Sequence, residues 1–148
     1  MEAVWEAYGK SQDMENPRPF YTACIVEDEF TYCIFTSQKS LNLIVDNVTD
    51  NQRKWLIDGT FSIVPSGCFT QMLVIYIEYC DHIFPIFFVL TDKKSSQMYE
   101  NLFKYIKENV FDINPAVVIK DYEQGLRKAL KTVFPNVKCI GCCDTRHY

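Results

Sequence analysis

Two aspartates close short apolar runs: Asp58 follows Trp55-Leu-Ile57, and Asp121 follows Val117-Val-Ile-Lys120. Carboxylates delivered by strand ends to one sheet edge are the donors that hard Mg2+ or Mn2+ selects, because these ions take oxygen ligands and keep waters for a phosphate substrate. Two such ions roughly 3.5–4 Å apart would activate water and stabilise the leaving oxygen of a phosphodiester. The metal would also relieve the repulsion between the acids. Each aspartate has a plainer reading as well. Asp58-Gly59 between two β-rich runs is a strong hairpin-turn signal, and Asp121 with Gln124 three residues later suits a helix N-cap.

Other polar residues carry weaker chemistry. Cys139-x-x-Cys142 with Cys143 and His147 has the residue types of a zinc site, but on a strand residues 139 and 142 point to opposite faces, which disfavours zinc. His82 beside Asp81 reads as a solvated turn residue. Lys93 and Lys94, and then Lys120, Arg127, Lys128 and Lys131 around Asp121, could touch a phosphate backbone; Arg127, Lys128 and Lys131 equally fit the polar face of a helix. The aromatics Phe61, Phe69, Phe84, Phe87, Phe88, Phe103 and Tyr105 read as core.

The elements that must position the two acids follow from periodicity. Phe20–Val26 and Phe30–Phe35, separated by Glu27-Asp28-Glu29, suggest a hairpin, and Leu41–Val48 a short helix. Trp55–Asp58, Phe61–Val64, Gln71–Tyr79 and Ile83–Leu90 are four strand candidates in an antiparallel meander, divided by Asp58-Gly59, Pro65-Ser-Gly67 and Asp81-His82. Met98, Tyr99, Leu102, Phe103, Ile106 and Val110 share one helical face between Ser95 and Asn114-Pro115. Ala116–Ile119 is then a short apolar strand whose position after a helix calls for a parallel crossover. A second helix, from about Glu123 to Val133, presents Leu126, Ala129, Leu130 and Val133, and Gly125 weakens it by about 1 kcal/mol. Val137–Gly141 is the last strand. The fold class is therefore α/β: a mixed sheet, an antiparallel meander followed by helix-strand-helix-strand, with helices covering it.

Composition bounds the function. A chain of 148 residues with 48% hydrophobic and 23% charged residues is one globular domain rather than a disordered tail. The net charge of -4 excludes a protein that coats nucleic acid, so any such contact is local. Residues 120–148 alone carry a basic excess. Seven cysteines, odd in number and irregularly spaced, read as reduced and buried thiols of an intracellular protein. Met1-Glu-Ala-Val-Trp-Glu6 lacks the basic and apolar regions of a secretory signal, and Ile83–Leu90 is too short for a membrane helix. Residues 1–19 read as a flexible leader, 20–54 as a hairpin and short helix before the core, and 55–148 as the core.

An ordered series of residues resembles the Mutator-like element (MULE) transposase domain. It comprises Trp55-Leu-Ile-Asp-Gly-Thr-Phe61, Pro65, Phe69, Gln71, Phe84-Pro85-Ile86, Leu90, Lys94, Tyr99, Asp121-Tyr-Glu123, Ala129, Phe134-Pro135 and Gly141-Cys142, densest over residues 55–142. The resemblance implies a ribonuclease H-like fold in which Asp58 and Asp121 are the first two acids of a DDE triad that cuts and rejoins DNA with Mg2+ or Mn2+. Glu123 matches the glutamate of the family's Asp-aromatic-Glu motif. The third acid is expected further along, on a helix beyond an insertion, and the chain ends before it. Thr145 stands where the family has histidine after Gly-Cys, with His147 two residues later. The resemblance thus implies a C-terminally incomplete catalytic domain, inactive alone, that acts on DNA in the nucleus, self-associates or joins the remainder of a transposase. The alternative is a non-catalytic, transposase-derived module that binds nucleic acid or protein.

Overall fold

The computed structural model describes residues 21–37, 39–42, 53–60, 64, 67–110, 112, 114–120 and 123–141. The expected leader, most of the helix expected over Leu41–Val48, residues 61–63 of the strand candidate Phe61–Val64, Asp121, and Cys142, Cys143, Thr145 and His147 lie outside these residues, and Val64 is in a bend.

Alternating apolar residues build seven strands into one sheet. β1 (Tyr21–Val26) and β2 (Thr31–Thr36) form the expected antiparallel hairpin, closed by the Glu27 N–H donating to the Phe30 carbonyl at 2.9 Å. Their register sets Cys24 opposite Cys33, and the two are joined by a disulfide. Cys68 and Cys80 are free and exposed. The expectation of reduced, buried thiols therefore fails at these four, because it took burial from local apolarity and could not see which cysteines a hairpin register would pair. Residues 39–42 are helical, and Leu41 is buried.

β3 (Lys54–Thr60) runs straight through Asp58-Gly59, which pair with Val74 and Leu73 of β4 (Gln71–Tyr79). The turn reading of that dipeptide is overturned: the nine-residue β4 offers a continuous ladder, and cross-strand hydrogen bonds outweigh the local preference of Asp-Gly. β4 joins β5 (His82–Thr91) through Cys80-Asp81 rather than Asp81-His82, and both turn residues have positive φ, 52° and 61°. The register slips between Ile75 and Tyr76, so that Pro85, which has no N–H to give, lies at a bulge. The first hairpin docks on the far side of this pair, β2 antiparallel to β5.

The helical segments follow as expected. α1 (Ser96–Tyr105) is capped by Ser95, whose Oγ accepts from the Met98 N–H at 3.2 Å, and it continues as a π-helical turn over Ile106–Val110. β6 (Val117–Lys120) lies parallel to β3, and after α2 (Gln124–Val133) the chain adds β7 (Lys138–Gly141) parallel to β6. The helix N-cap is Glu123, not Asp121. The strand order is β1-β2-β5-β4-β3-β6-β7, a mixed sheet.

One face of the sheet carries the main core. Trp55, Ile57, Leu73, Ile75, Ile77, Phe87 and Val89 pack there against Met98, Leu102 and Phe103 of α1 and Leu126, Ala129 and Leu130 of α2. Trp55 is fully buried and meets Phe134 edge-on at 5.6 Å and Phe103 at 6.4 Å. A smaller cluster of Cys33, Phe35, Phe69 and Leu90 lies apart from it. Phe84, expected in the core, is exposed near the β4–β5 turn and touches the His82 ring. Among the described residues no helix is long and apolar enough to cross a membrane.

Candidate active site

The alternation of β3 decides where Asp58 points. Trp55 and Ile57 are buried against the helices, so Lys54 and Asp58 fall on the other face, and both are exposed. Lys54 reaches Glu78 at 3.8 Å, an exposed pair of little energetic weight. The Asp58 side chain makes no hydrogen bond or ion pair with another described residue. A carboxylate is the kind of oxygen donor that a hard divalent ion takes.

The parallel register between β3 and β6 is Lys54 with Val117, Trp55 with Val118, Leu56 with Ile119 and Ile57 with Lys120. Asp58 and Asp121 are therefore the residues that immediately follow the last aligned pair. Asp121 itself is outside the described residues, and among those residues no group of three His, Cys, Asp or Glu is arranged to hold a metal.

On the helix side of β3, beside Gly59, lies a buried polar chain. Gln71, the first residue of β4, is 1% exposed, and its Nε2 donates to the Tyr99 hydroxyl at 2.7 Å. The Tyr99 hydroxyl in turn donates to Glu123 Oε1 at 2.8 Å. Burial, above all, pushes the Tyr99 hydroxyl well above the ordinary tyrosine range, with the Glu123 carboxylate adding to the shift and the Gln71 hydrogen bond opposing it. The hydroxyl thus remains a donor across the physiological range. Gln71, Tyr99 and Glu123 all belong to the motif series read from the sequence, yet their mutual contact was invisible there; the available signal was a glutamine and a tyrosine at positions that face the apolar core.

The basic residues divide. Lys120 is 2% exposed, so it is not a surface contact for a phosphate backbone. Arg127, Lys128 and Lys131 lie on the exposed face of α2, opposite Leu126, Ala129 and Leu130, and Lys93 and Lys94 are exposed ahead of α1. Cys139 is half-buried and packs against the main core. A concavity between the β1–β2 turn and α1, lined by Glu27, Asp28, Glu29, Gln97 and Asn101, has acids that repel phosphate.

A mixed α/β sheet with an acid just past the aligned residues of its β3–β6 parallel pair is thus the frame of the site. The MULE transposase domain family matches residues 54–145, and the chain belongs to that family. No curated protein matches it. Among solved structures, the chain is similar to one chain of a cryo-EM structure of the simian T-cell lymphotropic virus intasome in complex with the PP2A regulatory subunit B56 gamma. The two share 13% identity at a TM-score of 0.39, over 74% of this chain and 45% of that one. Membership implies a transposase-related function.

Proposed function

We propose that the chain is part of the DNA-cleaving core of a MULE transposase, with a ribonuclease H-like arrangement and with Asp58 and Asp121 as its first two metal-binding carboxylates. The observation that carries this reading is the β3–β6 register: two acids follow directly on Ile57 and Lys120, a pair aligned on neighbouring parallel strands. Chain covalency keeps the Cα of Asp121 about 3.8 Å from that of Lys120. An antiparallel meander followed by helix-strand-helix-strand, with β3, β6 and β7 parallel, supports the ribonuclease H-like assignment.

The carboxylate chemistry fits Mg2+ or Mn2+, which when bound supplies Lewis-acid activation of water and of the scissile phosphate. This chain's own part is to hold two carboxylates just past the aligned residues of β3 and β6, with Asp58 open to solvent and to a DNA backbone. No residue is assigned here as the third acid. DNA as substrate, a nuclear site of action, and assembly with further copies or with the remainder of a transposase belong to the same proposal, as does the division of residues 1–19, 20–54 and 55–148 into leader, preceding hairpin and helix, and core.

The test is a calorimetric Mn2+ and Mg2+ titration of the chain and of Asp58→Asn and Asp121→Asn, with nicking of supercoiled plasmid followed in parallel. Loss of binding in both variants is expected, since each removes an anionic ligand of one shared site. Millimolar metal without specific binding would sink the metal-site reading and favour a non-catalytic, transposase-derived binding module.

A further inference from the structure

We infer that Gln71, Tyr99 and Glu123 form a positioning relay that fixes the segment of β3 bearing Asp58 relative to the start of the helix that follows Asp121. The inference rests on the proposed pairing of Asp58 with Asp121 for its consequence, though not for its geometry. The relay reaches from a point two residues after Asp121 to a point one residue after Asp58. At one end Glu123 accepts the Tyr99 hydroxyl at 2.8 Å; in the middle Tyr99, fully buried on α1, accepts from Gln71 at 2.7 Å. At the other end a Cβ on Gly59 would lie 2.8 Å from Gln71 Oε1, so the strand residue beside Asp58 leaves its side-chain space to the glutamine amide.

Two further features point the same way. Glu123 occupies the N-cap of α2, where an oxygen normally accepts from its own helix, yet it makes no capping hydrogen bond and gives its carboxylate to Tyr99 instead. Gly125 holds the same helix start against the start of α1: a Cβ there would meet the Ser96 backbone nitrogen at 3.1 Å and the Lys94 carbonyl oxygen at 3.3 Å. The segment that follows Asp121 is thereby tied to α1 at two points, and α1 is tied through Gln71 to the β3–β4 edge. A hydrogen-bonded chain in a low-dielectric interior resists displacement of any member, because each would leave a buried polar group unpaired. None of the three bonds the Asp58 carboxylate, so they are positioning residues that act through the backbone on which the acids stand.

The discriminating set is the full chain with Tyr99→Phe, Glu123→Ala and Glu123→Gln. Glutamine keeps an oxygen that accepts from Tyr99 but has no charge, so it preserves the relay and would not preserve a metal ligand. Hydrogen exchange is read by mass spectrometry on segments 54–60 and 117–125, with the β4–β5 turn as internal reference, and Mn2+ affinity by electron paramagnetic resonance. The relay predicts faster exchange in both segments and weaker Mn2+ binding for Tyr99→Phe and Glu123→Ala, with Glu123→Gln close to the parent in both. Exchange that rises only within α1, or a Glu123→Gln that behaves as Glu123→Ala, would overturn it. If Tyr99→Phe does not fold, the alanine and glutamine pair at Glu123 still decides. Failure of the parent chain to take up Mn2+, or an unaltered affinity in Asp58→Asn, would count against the metal site and leave the exchange result to judge the relay by itself.

Discussion

Gly59 is exposed, so neither burial nor a turn accounts for its lack of a side chain; the reason is the buried Gln71 amide 2.8 Å from where its Cβ would stand. Gln71 is buried, and its Nε2 is held by the Tyr99 hydroxyl at 2.7 Å, which opposes a swing of the amide. Gly59→Ala is therefore expected to cost about 1–3 kcal/mol, even though alanine is the less flexible residue and would ordinarily stabilise a strand. Urea unfolding measures it, and a stability equal to the parent's would mean that the amide is not held as tightly as its burial implies. In a Gln71→Ala background most of this cost should vanish, because the clash partner is gone; the double-mutant cycle isolates that single contact.

Among the elements, the β4–β5 hairpin carries a local cost. Two-residue turns with positive φ at both positions favour Asn-Gly or Asp-Gly, whereas this one is built from Cys80 and Asp81 at φ 52° and 61°. Cβ atoms in that left-handed region cost roughly 1 kcal/mol each unless the residue is glycine or a short polar side chain. The double substitution Cys80→Asn with Asp81→Gly is expected to raise stability by about 1 kcal/mol and to raise Tm in a thermal melt. It should leave Mn2+ binding alone, since the turn lies at the opposite end of β4 from Gln71. An unchanged or lower Tm would indicate that contacts of Cys80 offset its backbone strain.

For the molecule as a whole, two buried tyrosines set an alkaline limit. Tyr32 and Tyr99 both have hydroxyls held well above the ordinary range, in each case chiefly by burial; Tyr105 and Glu27 add to the effect at Tyr32. In the unfolded chain they ionise near pH 10, roughly the model-peptide value, while in the fold they stay protonated beyond it. Their stabilising contribution is complete below that pH and is lost as pH rises through the folded-state values. Stability should fall above about pH 10 by up to about 1.4 kcal/mol per pH unit for each tyrosine. Denaturant unfolding between pH 9 and 11 checks the slope, and Tyr99→Phe should remove close to half of this contribution while lowering stability at neutral pH, where Gln71 and Glu123 lose their shared partner.

The family, the mixed α/β class and most elements were legible in the sequence for local reasons. Helical spacing from Met98 to Val110, the Ser95 cap, and the apolar runs of β4 to β7 are short-range patterns that tertiary structure had only to accept. What long-range pairing decided is where local signals misled or fell silent. Asp58-Gly59 reads as a turn until β4 supplies a ladder for it, and Cys24 reads as a lone thiol until a register sets it opposite Cys33. Lys120 reads as a surface cation until the β3–β6 pairing carries it to the helix side of the sheet. Gln71, Tyr99 and Glu123, separated by 28 and 24 residues, meet only because β4, α1 and the start of α2 converge beneath one sheet edge. A sequence pattern records which face each residue prefers, whereas the partner on that face is set by packing of distant elements, and for this chain the partners define the site.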